Sequence, residues 1–228
     1  MTARDLIFGS IRRSLGVTGH EAPRRKAVAD RLAQHPAGLV PARGQLGAKE
    51  RRALFRAMVE AAAGSVEDIP DPAAVPTAIA AFLRGHNLPM AVRRGADPLL
   101  AALPWSREPN LDVAVGPSDG NDLVAVSHAF GAAAESGTLM LVSGPDNPTT
   151  LNFLPDTHVV VVAAKDVAGD YETLWRRLRE KFGDGAMPRT VNLITGPSRS
   201  ADIEQTLILG AHGPRRLHVM VVGESENG

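Results

Sequence analysis

The sequence predicts an α/β fold built on a layered, largely parallel sheet. Two observations carry that reading. From residue 89 onward the short apolar runs MAVR, LDVAV, LVAV, TLMLV, HVVVVA, TVNLIT and RLHVMVV recur between turns. Most lack clean polar alternation, which marks strands buried on both faces of a sheet. Helical spacing with caps lies between some of them, and strands alternating with helices give an α/β architecture. The 228 residues are 44% hydrophobic, which supplies a core.

Taken in order, Thr2 and Asp5 form a capping-box-like start, with Asp where Glu or Gln is preferred. Ile7, Ile11 and Leu15 then recur every fourth residue and predict an amphipathic helix. Residues 17–47 hold Pro23, Pro36, Pro41 and several glycines, and read as a wandering connection. A second helix carries Leu54, Phe55, Met58, Val59 and Ala62 and closes at Gly64; a third follows Pro76 with Ile79, Phe82 and Leu83. Residues 1–88 are therefore a helical segment and connection packed on the body, and 89–228 are the α/β domain. Within that domain Asp170 caps a helix carrying Tyr171, Leu174, Trp175, Leu178 and Phe182, which Gly183 stops. Another helix is expected from Ala201 to Leu209, ending at Gly210.

Composition excludes several functions. With no cysteine, the chain has no disulfide, no thiol nucleophile and no thiolate ligand for an iron–sulfur cluster. No apolar run approaches the roughly 20 residues of a membrane helix. MTARDLIFGSIRRSLG lacks the apolar core of a signal peptide, so a soluble, cytoplasmic protein is expected. Net charge is zero but unevenly placed: residues 1–56 hold 12 Lys/Arg against 4 Asp/Glu, and the remainder 13 against 21. The basic segment can serve nucleic acid or pack on an acidic body. Aromatics are 4% of the chain and none interleaves with Arg24-Arg25-Lys26, which disfavours nucleic acid. There is no G-x-G-x-x-G and no Walker A motif, and the seven histidines lack metal-ligand spacing, so no metal is assigned.

Four stretches hold candidate chemistry. GPSDG at 116–120 matches G-x-S-x-G, but a strand follows it where a nucleophile elbow needs a helix; it reads as a turn. GPSRSADIE at 196–204 follows the strand TVNLIT at a strand-to-helix corner, where open α/β sheets bind ligands. Gly196, Ser198, Arg199 and Ser200 there suit a carboxylate or phosphate, through hydroxyls, a guanidinium and helix amides. Equally, Ser200 can merely cap the helix, with Asp202 and Glu204 offsetting its dipole. GAHGP at 210–214 is a tight turn with His212 at its tip beside Gly213. AAAESGTLMLV at 132–142 sets Glu135 before Ser136, Gly137 and Thr138; small alanines ahead of it let a helix approach the sheet, and Gly137 lets the chain turn. Glu135 is either a hydrogen-bonded structural carboxylate, served by Ser136, Thr138 and nearby amides, or a catalytic one with a cation such as Arg199 nearby. AESGT, GPSRS and the GAHGP turn are expected to meet along one rim of the sheet, enclosing a polar pocket.

Taken together, AESGT (134–138), LP followed by a histidine and a valine run (154–162), ITGPSRSADIE (194–204) and GAHGPRRLHV (210–219) resemble the LUD domain. More closely, they are similar to the lactate-utilization protein C family, with Ser136 where threonine is usual. The resemblance implies a three-layer α/β/α fold like the NagB/RpiA/CoA-transferase superfamily, with N-terminal helices added. It also implies a non-redox subunit in oxidation of L-lactate to pyruvate, beside iron–sulfur partner subunits that hold the clusters while this chain binds no cofactor. The alternative is an independent CoA-transferase- or sugar-phosphate-isomerase-like enzyme using Glu135. A ligand-binding regulatory domain without catalysis is the third reading.

Overall fold

The computed structural model describes residues 2–183, 185–200 and 208–223. Contacts divide the chain into two compact units, Met1–Leu39 and Val40–Gly228. In the first, α1 (Ala3–Leu15) opens on the expected capping box: the Thr2 hydroxyl accepts from the Asp5 amide, and Asp5 accepts from the Thr2 amide. It closes on Gly16 in the left-handed region. A helix α2 (Ala22–Gln34) occupies much of what the sequence reads as connection. Pro23 sits in its first turn, where a missing N–H costs nothing, so this proline starts the helix.

The second unit begins with α3 (Ala48–Ala61), β1 (Ser65–Ile69), α4 (Val75–Gly85), β2 (Ala91–Arg94), α5 (Pro98–Ala101), β3 (Asp112–Val115) and β4 (Val124–His128). There follow β5 (Gly131–Ala133), β6 (Thr138–Val142), α6 (Thr149–Phe153), β7 (Thr157–Ala163), β8 (Val167–Ala168) and α7 (Tyr171–Phe182). Last come β9 (Val191–Thr195), β10 (Arg199–Ser200), β11 (Ile208–Leu209) and β12 (Arg216–Val222). The central sheet has the order β1-β12-β7-β4-β2-β3 and is parallel at every pairing. Each run expected as a strand is one. The strand SVEDI, which alternates too little to announce itself, adds an edge beside β12.

Burial on both faces explains the valine runs. Val160 and Val162 of β7 pack on one side with Val219 and Val221 of β12, against Phe55 and Val59 of α3. Val159 and Val161 point the other way, with Met220, against Ile79 and Leu83 of α4 and Leu100 of α5. The fold is thus α/β with a mainly parallel central sheet and helices on both faces. On the α3 side lies a second sheet, β8-β5-β6-β9, and α7 covers it through Leu174 and Leu178 against Ala133 and Met140.

Two local expectations change. The alanines before Glu135 are not helical: Gly131–Ala133 is a strand paired antiparallel with β6 and parallel with β8, with Ala132 packed toward the central sheet and Ala133 toward α7. The helix expected from Ala201 to Leu209 falls mostly outside the described residues. Its described end, Ile208–Leu209, is a strand antiparallel to Arg199–Ser200, so Ser200 belongs to a ladder there.

Candidate functional site

The two loop motifs do meet. The Ser198 amide donates to the Pro214 carbonyl at 2.8 Å, and the Gly210 amide donates to the Ser198 carbonyl at 2.9 Å. The His212 amide donates to the Ser198 hydroxyl at 3.2 Å. A cavity of about 280 Å³ lies against this junction, lined by Gly196, Ser198, Arg199, His212 and Gly213. Ser200 is not among its lining residues; it stands in β10 opposite Ile208. The Arg199 guanidinium is exposed and donates to the Ala62 carbonyl at the end of α3.

Two further polar residues line the cavity that were not among the candidate site residues, Asn152 of α6 and His158 of β7. Both are fully buried. The His158 Nε2 lies 2.9 Å from the Ser127 hydroxyl, which in turn donates to the Asn152 carbonyl oxygen at 3.4 Å. That direction makes His158 Nε2 the protonated nitrogen and leaves Nδ1 with a lone pair. Burial pushes the imidazole down to about 3, so it stays neutral at pH 7. His158 Nδ1 and Asn152 Nδ2 have no protein partner. Buried polar atoms normally find partners, and here one acceptor and one donor, on two residues that line the cavity, lack one. Together they match a hydroxyl group, which donates to one and accepts from the other. The histidine in LPDTH was legible as part of a pattern; its turn toward the cavity depends on β7 pairing with β4 and β12, which no local spacing reports.

Glu135 sits elsewhere. It is 4% exposed, and neither it nor Ser136, Gly137 or Thr138 lines the cavity. Its Oε1 accepts from the Tyr171 amide at 3.1 Å, at the start of α7, where a carboxylate complements the helix dipole. Its Oε2 is buried without a protein partner. Ser136 and Thr138 do not serve the carboxylate. Their hydroxyls are 2.8 Å apart, each bonds the Tyr171 hydroxyl, and Thr138 reaches Thr195 of β9 at 2.5 Å. Thr138 and Thr195 are also direct partners in the β6–β9 ladder, so AESGT joins the cavity rim through one strand pairing. Gly137 has φ +67°, and a Cβ there would stand 2.6 Å from the Val59 amide nitrogen. Only glycine permits both the turn and this approach of α3.

Residues 121–222 match the LUD domain model. Over those residues the chain carries a LUD domain. Lactate utilization protein C of Geobacillus thermodenitrificans is 40% identical over 90 residues, which are 39% of this chain and 38% of that protein. The protein of the same name from Halalkalibacterium halodurans is 34% identical over 100 residues, 43% and 44% of the two chains. The match thus spans about two fifths of the length of these curated relatives. A DUF162 family protein from Deinococcus radiodurans, solved by crystallography, superposes with a TM-score of 0.56 at 23% identity, covering 78% of this chain and 99% of that one. That likeness speaks to the fold of the LUD domain and its surroundings. All the cavity residues named above, and Glu135, fall inside the matched LUD segment.

Among the described residues no helix is long and apolar enough to cross a membrane.

Proposed function

We propose that this LUD-domain protein is the non-redox subunit of an iron–sulfur system that oxidises L-lactate to pyruvate. In this reading the His158–Asn152 cavity binds a small 2-hydroxy- or 2-oxo-carboxylate. The observation that carries the reading is the similarity of the LUD segment to proteins named lactate utilization protein C. The cavity chemistry supports it. Arg199 retains guanidinium N–H groups beyond the one given to Ala62, enough to hold a carboxylate. The open His158 lone pair and Asn152 amide suit the neighbouring hydroxyl. These 228 residues hold no cysteine, so thiolate-bound clusters belong to partner subunits. An independent enzyme using Glu135 gains no support from geometry, because that carboxylate caps α7 and lies off the cavity.

The test is co-purification. Tagged protein drawn from its own cells grown on L-lactate is expected to elute with cysteine-rich iron–sulfur proteins and their visible absorbance. Elution alone, with lactate oxidation or acyl-CoA exchange in the isolated chain, overturns the proposal.

A further inference from the structure

The cavity above lies at the amino-terminal ends of β7 and β12, whereas open parallel sheets bind ligands beyond the carboxyl ends, where strand order reverses. Here that reversal falls between β2 and β4. The chain passes from β2 outward to β3 at one edge, but from β4 to β7 in the opposite direction. Beyond the carboxyl ends of these two strands is a cleft of about 600 Å³.

At the cleft, β4 ends in His128, and the turn after β2 supplies Asp97. The His128 Nδ1 lies 3.0 Å from Asp97 Oδ2, while Asp97 Oδ1 accepts from the Leu100 amide at the start of α5. Burial raises the Asp97 carboxyl, but His128 and the helix amides outweigh it and hold it below its ordinary range, so it is ionised at neutral pH. The Asp97 carboxylate takes the Nδ1–H, so in the neutral ring the lone pair sits on Nε2. That Nε2 is buried with no protein partner. The loop 143–148 is pressed onto this corner: the Ala96 amide donates to Pro145, and a Cβ on Gly95 would stand 1.9 Å from the Asp146 carbonyl. The loop brings in Asn147, which is 4% exposed. Its amide nitrogen donates to the Val142 carbonyl at 3.4 Å, and its Oδ1 is buried without a partner. Asp146, Asp166 and Lys181 also line the cleft, with Lys181 held over the Phe130 ring at 5.3 Å.

The open atoms of this cleft are acceptors: an imidazole lone pair and an amide oxygen, with two carboxylates beside them. A ligand for it must donate hydrogen bonds. It cannot be mainly anionic, because one lysine faces Asp146 and Asp166. We propose that the cleft is a second ligand site, separate from the His158 cavity, which binds the vicinal hydroxyls of a sugar or ribosyl group, one on His128 Nε2 and the other on Asn147 Oδ1.

The ribose and deoxyribose probes are the methyl β-D-furanosides, in which the 2- and 3-hydroxyls are the sole vicinal pair and the 2-deoxy sugar has none, followed through the histidine ring signals in nitrogen–proton spectra of the full chain. Ribose is expected to bind with a dissociation constant on the order of millimolar and to shift the His128 signals. The deoxy sugar loses one of two hydrogen bonds and should bind roughly tenfold more weakly. His128→Phe and Asn147→Leu should each abolish binding at unchanged melting temperature. Should both variants unfold, the comparison of the two sugars on the unaltered chain still decides. Equal affinity for the two sugars, or unmoved His128 signals at high ribose, overturns the proposal.

Discussion

Arg199 and His158 divide the candidate cavity into a charged rim and a neutral interior. The guanidinium is exposed and shares one N–H with a backbone carbonyl, while the imidazole is buried and held neutral by desolvation. In the proposed function a carboxylate is therefore drawn to Arg199, and the rest of the ligand meets uncharged donors and acceptors. Arg199→Lys keeps the charge but loses the planar fork, so pyruvate or L-lactate should bind about tenfold more weakly to the variant. Titration calorimetry of both proteins checks this, and equal affinities would make Arg199 a surface charge. Gly196, Ser198, Arg199, His212 and Gly213, which line the cavity, stood out in the sequence because they lie in turns at strand ends. Asn152 and His158 did not. Asparagine in a short helix and histidine at a strand start are unremarkable until the fold buries them with an atom left open.

The start of α7 shows how a carboxylate can be conspicuous in sequence for a reason of packing. Three groups converge there: Asp170 accepts from the Thr173 amide, Gln45 donates to Asp170 at 2.9 Å, and Glu135 takes the Tyr171 amide. Glu135 thus completes a helix end from a hairpin 36 residues earlier. Glu135→Ala removes that acceptor and should lower stability by roughly 1–3 kcal/mol, whereas Glu135→Gln keeps an oxygen for Tyr171 and should cost less. Urea unfolding midpoints of the two variants test this, and an unshifted midpoint for Glu135→Ala would show that the cap contributes nothing. If Glu135→Gln lost growth on lactate at an unchanged midpoint, chemistry would have to be assigned to the free Oε2. Caps and stops were readable for α1 and α7, since Thr2, Asp170 and Gly183 act within a few residues of themselves. The short strands β5 and β8 were not, because Gly-Ala-Ala and Val-Ala specify a strand only through the strands they pair with.

At the scale of the whole molecule, the parallel sheet was legible because valine runs buried on both faces have few alternatives. The second sheet was not, since its antiparallel pairs are set by contacts between distant segments. The same double burial gives the fold a pH dependence. His158 of β7 and His218 of β12 lie in the sheet at 0% and 5% exposure. Burial pushes His158 down to about 3; burial, with His86 nearby, pushes His218 down to about 4. In the unfolded chain both titrate near 6.5. Between these limits the unfolded state binds more protons than the folded one, so stability rises with pH through that window and levels off above it. Acidification from pH 6.5 toward 4 therefore removes stability at up to roughly 2–3 kcal/mol per pH unit, the contribution of two protons. Asp97 and Asp170, whose folded pKa values are lowered, withdraw their own contributions only below the ordinary carboxylate range. Two acid steps follow, an imidazole one and then a carboxylate one. Urea unfolding at a series of pH values should show a midpoint that is flat above pH 7 and falls steadily from 6.5 to 4. Proton uptake measured during unfolding near pH 5 should approach two per chain. A midpoint that stays level down to pH 4.5 would mean that both imidazoles are charged in the folded protein, and the neutral His158 lone pair assigned to the cavity would go with them.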